Sequence, residues 1–150
     1  MKIFALPASG FHSNGFSLIR KIIQDKPRKL KEQCLTPTRI YTQDVSQIMN
    51  DFPIYGMAHI TGGGLNNIKR INENFGYKIT NLPTMPDFMN EVIESANLPK
   101  DELYKTFNMG IGFVFIMEAC DEIQEKYPEL IEIGHLSDSE LGVEVLGTKI

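Results

Sequence analysis

The sequence predicts an α+β domain, a layered α/β/α arrangement around a mixed, largely antiparallel sheet of about six strands. Three observations carry that reading. Short apolar or alternating runs recur along the chain and suit strands. Between them, apolar residues fall at helical spacing. The two kinds of segment come in mixed order rather than in strict strand–helix alternation. A chain of 150 residues suits one domain, here spanning 1–150.

Lys2 to Leu6 reads as an opening strand. Pro7 to Asn14 has loop chemistry. Phe16, Leu18, Ile19, Ile22 and Ile23 then trace a helix, with Ser13 or Asn14 as its N-cap and Pro27 as its stop. Leu30 to Leu35 suits another helical turn, and Val45, Ile48 and Met49 a third helix. Ile54 to Thr61 reads as a strand, followed at once by Gly62, Gly63 and Gly64 and by a helix through Leu65, Ile68 and Ile71. Phe75 to Thr80 is the next strand, Leu82 to Pro86 a loop, and Phe88 to Ala96 an amphipathic helix. A short helix over Leu98 to Phe107 leads to Gly110–Met117, apolar enough for a central buried strand. Glu118 to Tyr127 reads as a surface helix. Leu130–Leu136 and Gly142–Leu146 read as an antiparallel pair joined by the polar turn Ser137–Glu140.

Composition excludes several classes. Lys and Arg number 15 against 19 Asp and Glu, a formal charge of −4, which argues against general nucleic-acid binding. Hydrophobic residues at 42% with 23% charged residues indicate a packed domain rather than a disordered one. No apolar run approaches the roughly 18 residues of a membrane helix. Met1 to Leu6 lacks the apolar core of a signal peptide. The two cysteines, Cys34 and Cys120, form no C-x-x-C and read as buried or half-buried thiols of a reducing, cytoplasmic setting.

Three segments carry candidate chemistry. Ser9-Gly10-Phe11-His12-Ser13-Asn14-Gly15 links a strand to a helix, where unpaired backbone N–H groups suit a phosphate or carboxylate. Ser9 and Ser13 add hydroxyls, Asn14 a donor and an acceptor, and His12 a ring nitrogen. Composition alone favours an ordinary capped loop. Ala58-His59-Ile60-Thr61-Gly62-Gly63-Gly64 spends backbone entropy on three glycines, which makes sense where a ligand approaches the main chain. It is neither a Walker loop nor a G-x-G-x-x-G turn. Thr106-Phe107-Asn108-Met109-Gly110-Ile111-Gly112 is a polar, glycine-rich approach to the most apolar strand, and Asn108 there suits either a loop tie or a ligand contact. Arg39 reads as a structural ion pair. The three histidines lack metal-site spacing, so no metal ligands are expected in this chain.

Taken in order, Leu6–Lys21, Leu35–Tyr41, Ala58–Gly64, Tyr104–Gly112 and the closing Ile133-Gly134 and Ser137–Glu140 resemble phosphoribosylformylglycinamidine cyclo-ligase, or aminoimidazole ribonucleotide synthetase. The resemblance covers the C-terminal domain of that family. Family members begin with an N-terminal domain of similar size, marked by a D-G-V-G-T-K segment, and that half is expected to be absent here. The resemblance implies closure of the imidazole ring of a purine precursor, formylglycinamidine ribonucleotide giving aminoimidazole ribonucleotide with release of ADP and phosphate. It implies ATP and Mg2+ for the complete enzyme, bound mainly by the other half. The implied partners are that N-terminal ATP-binding half or a companion chain, and a phosphorylated small-molecule substrate. Neither nucleic acid nor membrane is expected. Apolar surface left uncovered makes a homodimer a further option.

By the same resemblance, His12, Asn14 and His59 would orient the substrate amide or assist proton transfer. Ser9, Gly10, Ser13, Thr61, Gly62, Gly63, Gly64, Asn108 and Gly110 would bind substrate or phosphate. Two alternatives stand beside this: a non-catalytic anion-binding module, and a domain of another ATP-dependent enzyme of this architecture. All three need the Ser9–Gly15 loop and the glycine turn to converge on one pocket.

Overall fold

The computed structural model describes Met1–Ile150. Its strands are β1 (Lys2–Pro7), β2 (Gly56–His59), β3 (Gly76–Ile79), β4 (Ile111–Met117), β5 (Ile131–Ser137), β6 (Gly142–Val145) and β7 (Thr148–Lys149). They form one sheet in the order β2-β4-β1-β5-β3-β6-β7. Every neighbouring pair is antiparallel except β3 with β6. The layered, largely antiparallel fold expected from the sequence is therefore present, with seven strands rather than about six. The added strand, β7, follows a tight turn at Leu146 and Gly147, whose φ values of 49° and 81° match the twist of a two-residue hairpin.

The helices are α1 (Phe16–Ile22), α2 (Arg28–Cys34), α3 (Thr42–Asp51), α4 (Asp87–Ser95), α5 (Lys100–Thr106) and α6 (Asp121–Lys126). A 3₁₀ helix spans Gly64–Arg70, where the apolar spacing predicted an ordinary helix. No helix is long and apolar enough to cross a membrane.

Alternation along the strands divides the core. Ile3 and Ala5 of β1 face one side, and Phe4 and Leu6 the other. The first side gathers 23 buried residues, including apolar residues of α1, α2, α4, α5 and the 3₁₀ helix. The second holds only 8, with Ile48 of α3 and Ile123 of α6. The sheet is thus thickly covered on one face and thinly on the other.

Two sequence expectations need correction. Gly110–Met117 is buried as predicted, but β4 lies second from an edge, and the middle strand is β5. β5 and β6 do not pair, because β3 lies between them. The polar segment 137–141 crosses the start of β3 instead of turning back. Gly76 makes that crossing fit, since a Cβ there would collide with the carbonyl oxygen of Glu140. Cys34 is buried as expected, whereas Cys120 is exposed.

Candidate functional site

Antiparallel register brings the three candidate segments to one end of the sheet. Pro7 closes β1 opposite Ile111, and His59 closes β2 opposite Phe113. The loops leaving β1 and β2 therefore flank the loop that enters β4.

Buried asparagines tie these loops together. Asn14 is fully buried, and its Oδ1 accepts the N–H of Gly64 at 3.3 Å while its Nδ2 donates to the carbonyl of Phe11 at 3.1 Å. It is not the cap of α1. Gly15 takes that position at a φ of 69°, without a side-chain cap. Asn108, also fully buried, donates to the carbonyl of Gly10 at 2.8 Å and accepts the N–H of Gly110 at 3.1 Å. The Gly110 carbonyl in turn accepts the N–H of Ala8 at 2.7 Å.

Sequence reasoning missed Asn67. Its Nδ2 donates toward the carbonyls of Thr61, Gly62 and Gly64 at 3.0, 3.1 and 2.9 Å. The available signal was an asparagine pair, Asn66-Asn67, interrupting an apolar helical stripe just after the glycines.

The predicted residues sort by exposure. Ser13, His59, Gly62 and Gly63 are exposed, and Ser9 and Thr61 half-buried. Gly10, His12, Asn14, Gly64, Asn108 and Gly110 are buried. The N–H groups of Ser13, Gly62 and Gly63 make no hydrogen bond to another backbone group. The exposed face of the two loops thus offers amide donors, a surface suited to an anion.

Ser9 anchors the first loop to the segment before α3. Its hydroxyl donates to the carbonyl of Pro37 at 2.8 Å and accepts the N–H of Arg39 at 3.1 Å. Its own N–H donates to His12 Nε2 at 3.2 Å. A backbone amide can only donate, so Nε2 is the acceptor and the ring proton sits on Nδ1. That Nδ1 is buried and has no partner. Burial, and secondarily the nearby His59, lower the His12 pKa from its ordinary 6.5 to about 4. His12 is therefore neutral near pH 7, a hydrogen-bond donor through Nδ1–H with its basic nitrogen already engaged.

The sign of its pH dependence follows. Below 6.5 the unfolded chain takes up a proton that folded His12 refuses until about 4. Stability is complete above that window and is lost as pH falls through it. Between pH 7.5 and 5.0, wild type is expected to lose about 2 kcal/mol more than His12→Phe in urea unfolding. Equal losses would refute a neutral His12.

A hollow of about 620 Å³ lies beside the paired loops on the thinly covered face. His59, stacked on Phe113 at 5.9 Å between ring centroids, forms part of its lining with Tyr41, Val45 and Met49. Of the predicted site residues, only His59 reaches it. The turns themselves meet, but they do not enclose this hollow. Arg39 at its rim is held by Asp44 at 3.0 Å and Glu129 at 2.8 Å, the structural ion pair expected. No group of three or more His, Cys, Asp or Glu side chains is arranged to hold a metal ion. The two paired loops also contribute no carboxylate, so Mg2+ would find no hard ligand set on them.

Comparison with known proteins adds the lineage. The family described as AIR synthase related protein, C-terminal domain, matches residues 1–146. The chain belongs to this family. Among curated relatives of this AIR synthase family domain, phosphoribosylformylglycinamidine cyclo-ligase of Methanocaldococcus jannaschii is 40% identical over 99% of the chain and 47% of the relative. The cyclo-ligase of Methanococcus vannielii is 38% identical over 91% of the chain and 44% of the relative. The resemblance read from the sequence is thus borne out, and the chain spans about half the length of the curated relatives it matches. Among solved structures, thiamine monophosphate kinase from Aquifex aeolicus covers 99% of the chain at a TM-score of 0.65 and 15% identity, which shows a shared fold. That enzyme complexed with AMPPCP and TMP superposes at 0.60 and 18% identity.

Proposed function

We propose that this AIR synthase family domain is the substrate-facing half of an ATP-dependent cyclo-ligase, acting on formylglycinamidine ribonucleotide. The observation that carries the proposal is the Asn14–Gly64 hydrogen bond, which joins the Ser9–Gly15 loop to the glycine turn. It leaves the N–H groups of Ser13, Gly62 and Gly63 free on one exposed surface.

In this reading, ATP phosphorylates the formyl amide oxygen, an amidine nitrogen attacks the activated carbon, and phosphate leaves with ring closure. The demands on the protein are positioning and neutralisation of developing negative charge. The free amides of Gly62, Gly63 and Ser13 would hold phosphate oxygens. The exposed ring of His59 would orient the reacting amide, and the buried ring of His12, bonded to the Ser9 N–H, would hold the first loop in place for it. Asn14, Asn108, Gly10 and Gly110 are buried and act by holding the loops. ATP and Mg2+ would depend mainly on a second, N-terminal half, the partner proposed here. The kinship with named cyclo-ligases supports this chemistry, whereas the kinase likeness supports the fold alone.

The test has two arms. In amide NMR of this chain, phosphate is expected to shift Gly62 and Gly63 selectively; no selective shift counts against the anion surface. In assays with ATP and formylglycinamidine ribonucleotide, the chain alone is expected to give no turnover. Addition of the N-terminal half of a cyclo-ligase relative is expected to restore it. Turnover by the chain alone would refute the need for a second half, and failure of reconstitution with phosphate binding intact would favour a binding module.

A further inference from the structure

The glycine turn has an unusual division of polar groups. Gly64 gives its N–H to Asn14 and its carbonyl to Asn67. The carbonyls of Thr61 and Gly62 also point to Asn67. A side-chain amide has two hydrogens, so these three contacts share them. Three of the turn's four carbonyls are thus engaged by Asn67, and the N–H groups of the exposed Gly62 and Gly63 have no backbone partner.

Asn67 is 3% exposed, and its Oδ1 is buried without a donor. Rotating the amide would satisfy nothing, since it would set Oδ1 against three carbonyl oxygens. An apolar side chain at 67 would carry no orphaned acceptor. The chain therefore tolerates a buried unpaired oxygen in order to keep the NH2 group on the turn.

We propose that Asn67 is a positioning residue that turns the Thr61–Gly64 segment into an anion-selective surface by engaging the carbonyl oxygens of Thr61, Gly62 and Gly64. A peptide turn with free carbonyls repels a phosphate as strongly as its amides attract one; Asn67 removes the repulsive half. The inference rests on the reading that this turn holds a phosphate group, and it assigns the selectivity to a side chain that touches no ligand.

The experiment is an inorganic phosphate titration of the 150-residue chain, followed by amide NMR, for wild type, Asn67→Asp and Asn67→Leu. Both substitutions remove the NH2 donor. The expected result is about a tenfold or greater loss of apparent phosphate affinity at Gly62 and Gly63 in both variants, with amide dispersion elsewhere retained. A second measurement needs only wild type: exchange of the Asn67 side-chain hydrogens with solvent, expected to be far slower than for the exposed Asn50. It keeps the inference falsifiable if either variant fails to fold. Unchanged affinity in folded variants, or rapid Asn67 exchange, overturns the inference while leaving the functional reading intact. No response of wild-type Gly62 and Gly63 overturns that reading and the selectivity assigned to Asn67 with it.

Discussion

Gly64→Ala is expected to destabilise the domain by about 3 kcal/mol, combining left-handed strain with overpacking. Gly64 has a φ of 58°, a conformation costly for any residue with a Cβ. It is also packed against main chain. A Cβ there would collide with the carbonyl of Tyr104, would lie 2.8 Å from that of Phe107 and 2.9 Å from the carbonyl carbon of Lys105. These atoms belong to the end of α5 and the residue that follows it, so no flexible side chain can yield. The measurement is the free energy of urea unfolding, with Gly62→Ala as the control. At Gly62 the nearest atom to an added Cβ is the Ser13 carbonyl oxygen at 4.0 Å, so a change within about 0.5 kcal/mol is expected. Equal effects at the two positions would contradict the packing described. Two glycines of one motif thus serve different ends: Gly64 lets the turn seat against α5, and Gly62 keeps the outer face open.

Asn14→Leu is expected to cost about 1–3 kcal/mol, because the buried Gly64 N–H would lose its partner, whereas the Phe11 carbonyl keeps the backbone N–H of residue 14 at 3.0 Å. The leucine has similar volume, so the loss reflects an unpaired amide more than a cavity. The same substitution frees the first loop from the glycine turn. In whatever fraction stays folded, the phosphate response of Gly62 is expected to weaken together with that of Ser13. Urea unfolding and amide NMR on one sample read both effects. A wild-type midpoint with an intact phosphate response would show that the Asn14–Gly64 bond does not organise the site.

How far the sequence disclosed this arrangement depends on the range of the interaction. Apolar spacing located Phe16–Ile22, Asp87–Ser95 and the buried run Ile111–Met117, because those signals are local. The loops Ser9–Gly15 and Thr61–Gly64 stood out by composition, and family resemblance joined them before any geometry did. Pairing partners were less legible. Ser137–Glu140 reads as a hairpin turn by any local rule, yet β3, far earlier in the chain, occupies the place beside β5. The roles of Asn14 and Asn108 were also hidden, since each bonds a carbonyl or amide whose nearness arises only on folding. Both read as ligand contacts in sequence, and in the structure both are fully buried and bonded to main-chain groups.

The parallel contact of β6 with β3 constrains the order of assembly. Until β3 has settled beside β5, β6 lacks the strand edge that it pairs with in the finished sheet. β6 reaches β3 across a long stretch of chain, and closing that loop costs entropy that the pairing must offset. β6 also packs against the 3₁₀ helix that begins at Gly64, and β7 against α5. A chain cut before residue 142 would therefore leave one edge of β3 and one flank of that 3₁₀ helix bare.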